Sequence, residues 1–221
     1  MANLLAIETS SDALSVAILN EIKVYSFHEI RPKQHTEDLL GIIEDLLSAA
    51  HIKLSSLDAI GISCGPGSFT GIRLACSVAQ GLAYGLNIPG IKISSLEVLS
   101  EGIFKKFKPK QIVVLLDAHR EKLFMGIFSY SEEGLISSKI KTIDQVEFDS
   151  NYYNSETYFI TNASKVLVSK IKEVSKNIYN DYPHSLDLLN LVSKKFEIGD
   201  FLSSEELLPN YLVEQENWET Y

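Results

Sequence analysis

Apolar positions along the chain fall into short continuous runs and into helical stripes. Leu4-Leu5-Ala6-Ile7 is apolar, Glu8-Thr9-Ser10-Ser11-Asp12 is polar, and Leu14-Ser15-Val16-Ala17-Ile18-Leu19 is mostly apolar again, which predicts strand, turn and strand. A third extended segment covers Lys23 to Glu29. Residues 112–128 repeat the plan, with Ile112-Val113-Val114-Leu115-Leu116, then Asp117-Ala118-His119-Arg120-Glu121, then Leu123-Phe124-Met125-Gly126-Ile127-Phe128. In each copy an acid, Glu8 or Asp117, directly follows the first strand, and the two stand 109 residues apart in a chain of 221. A plan repeated at half the chain length predicts an α/β protein of two tandem related lobes, the second smaller and degenerate. The charged, Pro-containing stretch 104–109 marks the boundary, giving 1–105 to an N-terminal lobe and 106–221 to a C-terminal lobe with an acidic tail.

Helical periodicity predicts a first helix from about Thr36 to Ala50 whose apolar residues cover about half its circumference, wider than the roughly 100° stripe a surface helix needs. The strand Ala59–Cys64 then runs into Gly65-Pro66-Gly67-Ser68, and a second helix follows from about Thr70 to Leu86. That helix has one narrow polar strip, Arg73, Ser77, Gln80 and Tyr84, so it is buried on more than one side. Gly71, Ala75, Ala79 and Ala83 form an i, i+4 row that lets another backbone come close. A strand at Ile91–Ser94 and a helix from Ser95 complete the first lobe. The second lobe shows a strand at Tyr158–Ile160, helices at Ser164–Val174 and Ser185–Phe196, and Pro209-Asn210-Tyr211-Leu212 before the tail.

Composition narrows the function. With 29 acidic and 20 basic residues the formal charge is −9, which argues against a free-standing nucleic-acid binder, though not against a subunit of one. The first apolar run stops at Glu8, too short for a signal peptide or a membrane span, so a cytoplasmic location without membrane contact is expected. Cys64 and Cys76 form no CxxC pair and read as buried, reduced thiols.

A strand, a glycine loop and a helix N-terminus together suit either an anion site or simply a tight strand-to-helix turn, and no Gly-Lys-Ser/Thr follows to make a Walker A loop. Glu8 and Asp117 suit Mg²⁺ or phosphate chemistry, or the satisfaction of hairpin backbone groups. His119 and Arg120 follow Asp117 on what reads as an exposed turn, and Ser10, Ser11 and Ser68 are nucleophiles with no evident base. Lys105, Lys106, Lys108 and Lys110 read as a solvated edge, or as a contact to RNA phosphates inside a complex.

The string GPGSFTGIR at 65–73, with LLAIETSSDALSVAIL and QHTEDLLGIIEDLL before it, resembles the TsaB (YeaZ) family of bacterial tRNA threonylcarbamoyladenosine biosynthesis proteins. The likeness is close over residues 4 to about 100 and weaker through LLDAHREKLFMGIF and PNYL, where Val213 replaces the family's usual Arg. It implies two actin/Hsp70-like (ASKHA, ribonuclease H-like) lobes and a non-catalytic, cofactor-free subunit. Such a subunit would partner a catalytic TsaD-like paralogue and a TsaE-like ATPase. The complex moves threonylcarbamoyl from threonylcarbamoyl-AMP to the adenosine beside the anticodon of tRNAs reading ANN codons, and tRNA is met only there. The family pairs with itself or with TsaD through the two N-terminal-lobe helices, which points to His35, Leu39, Ile43, Leu46, Gly71, Arg73, Ala75, Ala79 and Ala83 as interface. Glu8, Thr9, Ser10, Gly65, Gly67, Ser68 and Asp117 would then be a vestigial phosphate cleft.

Two features separate the chain from its catalytic paralogues. They hold a metal through His-x-x-x-His on the first helix, whereas here Leu39 stands four residues after His35, so no metal is expected and His35 reads as a helix-start or partner residue. The stretch Phe159-Ile160-Thr161-Asn162-Ala163-Ser164 lacks the glycines of an adenosine-binding turn. The rival expectation is an enzyme, either an ASKHA-type small-molecule kinase or a glycoprotease-like hydrolase.

Overall fold

The computed structural model describes residues 2–21, 23–31 and 35–212. Two compact units emerge, one made of residues 1–102 with 182–210 and the other of 103–181 with the segment after 210.

In the first unit the opening hairpin is β1 (Asn3–Glu8) and β2 (Ala13–Asn20), and β3 (Lys23–Ile30) extends it at one edge. On the other side β1 pairs in parallel with β4 (Ala59–Ser63), and β4 with β5 (Gly90–Ile93), so the sheet order is β3-β2-β1-β4-β5. Strand alternation sends Leu5 and Ile7 to one face and Leu4 and Ala6 to the other. The first face is covered by α1 (His35–Ala49) and α2 (Phe69–Leu86) through Leu39, Ile43, Leu47, Ile72, Ala75 and Ala79. The second is covered by α5 (Ser185–Ile198) through Leu188, Leu189, Leu191 and Val192. Gly61 is where Val192 sits down on β4, since a Cβ there would occupy the Val192 side chain.

The placement of α5 corrects the expected boundary. Residues 182–210, expected with everything after 105 in the C-terminal lobe, belong to the first unit, because α5 packs its apolar stripe, together with Val98, on the Leu4/Ala6 face of the sheet. Glu101, in α3 (Ser95–Phe107), fixes the attachment: its buried carboxylate accepts from Asn190 Nδ2 at 2.5 Å and Lys194 Nζ at 3.0 Å. The stretch 104–109, expected as a linker, is the last turn of α3 and its exit.

In the second unit β6 (Gln111–Asp117) and β7 (Lys122–Ser131) form the repeated hairpin and β8 (Gly134–Asp144) continues it. β9 (Tyr158–Thr161) pairs in parallel with β6, and β10 (Ile178–Tyr179) with β9. The order β8-β7-β6-β9-β10 is that of the first sheet repeated, so the predicted duplication is real. One face packs on α4 (Lys165–Val174) through Leu167 and Ile171.

Candidate functional site

The glycine loop and the first hairpin turn meet at the carboxyl ends of β1 and β4. Ser68 N donates to the Ser10 carbonyl at 2.7 Å, the Thr9 hydroxyl donates to the Gly71 carbonyl at 2.7 Å, and the Ser95 hydroxyl donates to the Pro66 carbonyl. Gly65 and Gly67 have φ of 102° and 155°, and a Cβ on Gly67 or Gly71 would run into the Ser10 or Thr9 carbonyl oxygen. Ser68 caps α2 by accepting from Gly71 N at 3.3 Å. Six of the seven residues expected to form a phosphate cleft, Glu8, Thr9, Ser10, Gly65, Gly67 and Ser68, are therefore brought together by backbone approach.

Glu8 does not point outward. It is fully buried, and its Oε1 accepts from Ser10 N at 2.6 Å, two residues along its own turn. Burial pushes its pKa up; the Ser10 and Ser63 hydroxyls lie beside it and pull partly the other way. Neither hydroxyl makes a well-formed hydrogen bond, and Glu8 Oε2 is likewise unpartnered. Glu97 and Cys64 are also raised by burial, and Cys76 is pushed up to about 12.

Asp117 is placed in the other unit, at the end of β6. Its side chain is half exposed, accepts from His119 N at 2.9 Å, and its own N donates to Asn162 Oδ1 at 2.9 Å. His119, Arg120 and Glu121 carry the turn into β7 with three successive positive φ angles, of 62°, 50° and 60°. In the glycine-free stretch, Thr161 Oγ1 accepts from Ala163 N at 3.0 Å and Ser164 Oγ from Leu167 N at 3.4 Å, so side chains close a turn that glycines would leave open. No group of three or more His, Cys, Asp or Glu suited to a metal ion occurs among the described residues.

The helix faces require a correction. Gly71, Ala75, Ala79 and Ala83, expected against a partner, are buried in this chain's own core, as are Leu39 and Ile43, while Leu46 packs half-buried at its edge. Small residues there let α2 pack closely on this chain's own sheet, and a Cβ on Gly71 would meet the Thr9 carbonyl. Among the described side chains of the expected interface, only Arg73 is exposed, with its guanidinium 3.6 Å from the centre of the Phe69 ring. The His35 side chain lies outside the described residues. What faces outward on α2 is Phe69, 58% exposed, and Tyr84, 79% exposed, with Ser77, Gly81 and Gly85 between and beyond them. On α1 the exposed residues include Leu40, Gly41, Glu44 and Asp45. Spacing singled out the small row; hydrophobic content alone could not tell a core face from a partner face.

Two five-stranded α/β units of one topology, with the hairpin turn and the glycine loop meeting at the strand ends of the first, define an ASKHA-type fold. The family described as "TsaD: tRNA N6-adenosine threonylcarbamoyltransferase" matches residues 27–175. The TsaB protein of Buchnera aphidicola from Acyrthosiphon pisum is 31% identical over 97% of this chain and 100% of its own length, and that of Haemophilus influenzae is 29% identical over 97% and 95%. A Pseudomonas aeruginosa structure titled "YeaZ" is 28% identical with a TM-score of 0.78, covering 96% of this chain and all of that one. The chain belongs to the TsaB (YeaZ) family of tRNA threonylcarbamoyladenosine biosynthesis proteins. No helix among the described residues is long and apolar enough to cross a membrane.

Proposed function

We propose that the chain is a cytoplasmic, non-catalytic scaffold of the threonylcarbamoyl transfer machinery, binding a TsaD-like catalytic paralogue and working with a TsaE-like ATPase. One observation carries the reading: Glu8, the acid that would meet a metal ion or phosphate at the end of β1, is fully buried and bonded to its own turn. A carboxylate serving Mg²⁺ or a phosphoryl group must present oxygens to the ligand. Here Thr9 and Ser10 are buried with it and the loop is closed by contacts within the chain. The exposed strips of α1 and α2 suit a partner, since Phe69 and Tyr84 are large aromatic anchors and Ser77, Gly81 and Gly85 leave room for a neighbouring helix. The same strips serve a second copy of the chain when TsaD is absent.

The test is reconstitution with the organism's TsaD and TsaE, threonylcarbamoyl-AMP and tRNA. Modification that needs this chain, together with no tight ATP binding or metal-dependent hydrolysis by the chain alone, supports the scaffold. Micromolar ATP affinity in calorimetry of the isolated chain would instead make it a kinase-type enzyme.

A further inference from the structure

We infer that the lysine-rich end of α3, with the aromatic rings packed against it, is an RNA-contacting surface of the second unit. This deepens the scaffold reading and rests on it for the identity of the RNA; the charge and the rings do not depend on it.

The acidity of the chain is unevenly distributed. Residues 103–181 with 211–221 hold 12 Lys and Arg against 13 Asp and Glu, three of these in the tail, whereas 1–102 with 182–210 hold 8 against 16. Four of the 12 fall within six residues, at Lys105, Lys106, Lys108 and Lys110, all exposed. Lys105 and Lys106 lie in the last turn of α3, where they balance the helix's negative end. Lys108 and Lys110 lie beyond that turn, so the dipole does not account for them. The Lys108 ammonium sits 4.2 Å from the centre of the Phe104 ring, and Lys106 meets Asp181 at 3.5 Å.

Beside this run the Phe107 ring is 45% exposed and lies 5.4 Å from the Tyr158 ring and 5.2 Å from that of Tyr179. The two tyrosine rings are stacked, with an interplanar angle of 7°. Tyr158 and Tyr179 occupy neighbouring strands β9 and β10 and are only half-buried, so Phe107 packs against them at the surface. Ammonium groups that track a phosphate backbone, next to a fixed aromatic face that can take an unpaired base, are the two parts of a strand-binding surface. An acidic or apolar protein partner would not need both.

The experiment uses the assembled complex of this chain with TsaD and TsaE and follows tRNA binding by fluorescence anisotropy across a salt series. Lys105→Glu/Lys108→Glu/Lys110→Glu is expected to raise Kd at least about tenfold and to lower the slope of log K against log salt by about 2, since each phosphate contact contributes about 0.7–0.9. Phe107→Leu keeps an apolar side chain against the two tyrosines while removing the ring face, and is expected to weaken binding severalfold with the slope unchanged. Lys23→Glu/Lys53→Glu, a charge reversal on the first unit, should alter neither. Unchanged Kd and slope for the triple variant in a complex that still modifies tRNA would overturn the surface and leave the scaffold standing, and an equal loss in the Lys23/Lys53 control would overturn it too. Failure of the unaltered chain to support modification would instead strike the scaffold reading.

Discussion

Thr9 and Gly71 lock the first hairpin turn onto the first turn of α2. The Thr9 hydroxyl donates to the Gly71 carbonyl at 2.7 Å, while the Thr9 carbonyl occupies the space where a Gly71 side chain would begin. The contact is backbone against backbone, so it cannot be relieved by a rotamer change. Gly71→Ala is therefore expected to cost about 3 kcal/mol or more, measured as a shifted urea midpoint. Thr9→Val, which keeps the shape and loses the hydroxyl, should cost about 1–3 kcal/mol.

The two faces of α2 are expected to respond oppositely. Ala75→Arg and Ala79→Arg bury a charge in the core formed with β1 and β4 and should abolish folding, seen as loss of the thermal transition. Ser77→Arg and Gly81→Arg lie on the exposed strip and should melt nearly as the wild type does, while weakening association with TsaD at least about tenfold by size-exclusion titration. Normal complex formation by both exposed-face variants would remove that strip from the interface.

Glu8 links stability to pH in an unusual direction. Its folded pKa lies above the ordinary 4.5, so between those two values the folded chain holds a proton that the unfolded chain has released. Stability is greatest below that ordinary value and falls as pH rises toward the folded pKa, at about 1.4 kcal/mol per pH unit. Glu97, raised mainly by burial, acts with the same sign. Glu8→Gln should flatten the profile and make the protein more stable than wild type in alkaline solution, in urea titrations from pH 4.5 to pH 8.5. An identical pH slope in the variant would mean that Glu8 is not the linked group.

Both thiols are shielded. Cys64 and Cys76 are buried and their pKa values are pushed up, Cys76 to about 12, so little thiolate forms at neutral pH. Maleimide labelling followed by mass spectrometry should be slow in the native protein and complete in minutes in urea. Fast native labelling of either cysteine would show that the core around α2 opens readily.

Local pattern alone determined much of this protein. The apolar runs around Glu8 and Asp117 specified two hairpins, and their spacing specified a repeat, because strand period and turn chemistry act over a few residues. GPGSFTGIR specified the strand, loop and helix that carry the site, since Gly67 and Gly71 are demanded by backbone approaches that no side chain tolerates. Strand β8 carries no apolar alternation in the sequence, because its polar run Ser137-Ser138-Lys139 lies on an edge that buries little. Tertiary structure alone decided three things. It sent α5 back to the first sheet, because a helix stripe names no partner, and the Leu4/Ala6 face is where Leu188, Leu191 and Val192 pack. It turned the small-residue row of α2 inward, since a small residue permits close approach without saying to what. It buried Glu8, whose role depends on which way one carboxyl faces: the Ser10 N–H two residues on holds one oxygen, and the packing of β1 against β4 and the loop closes the carboxyl off from solvent.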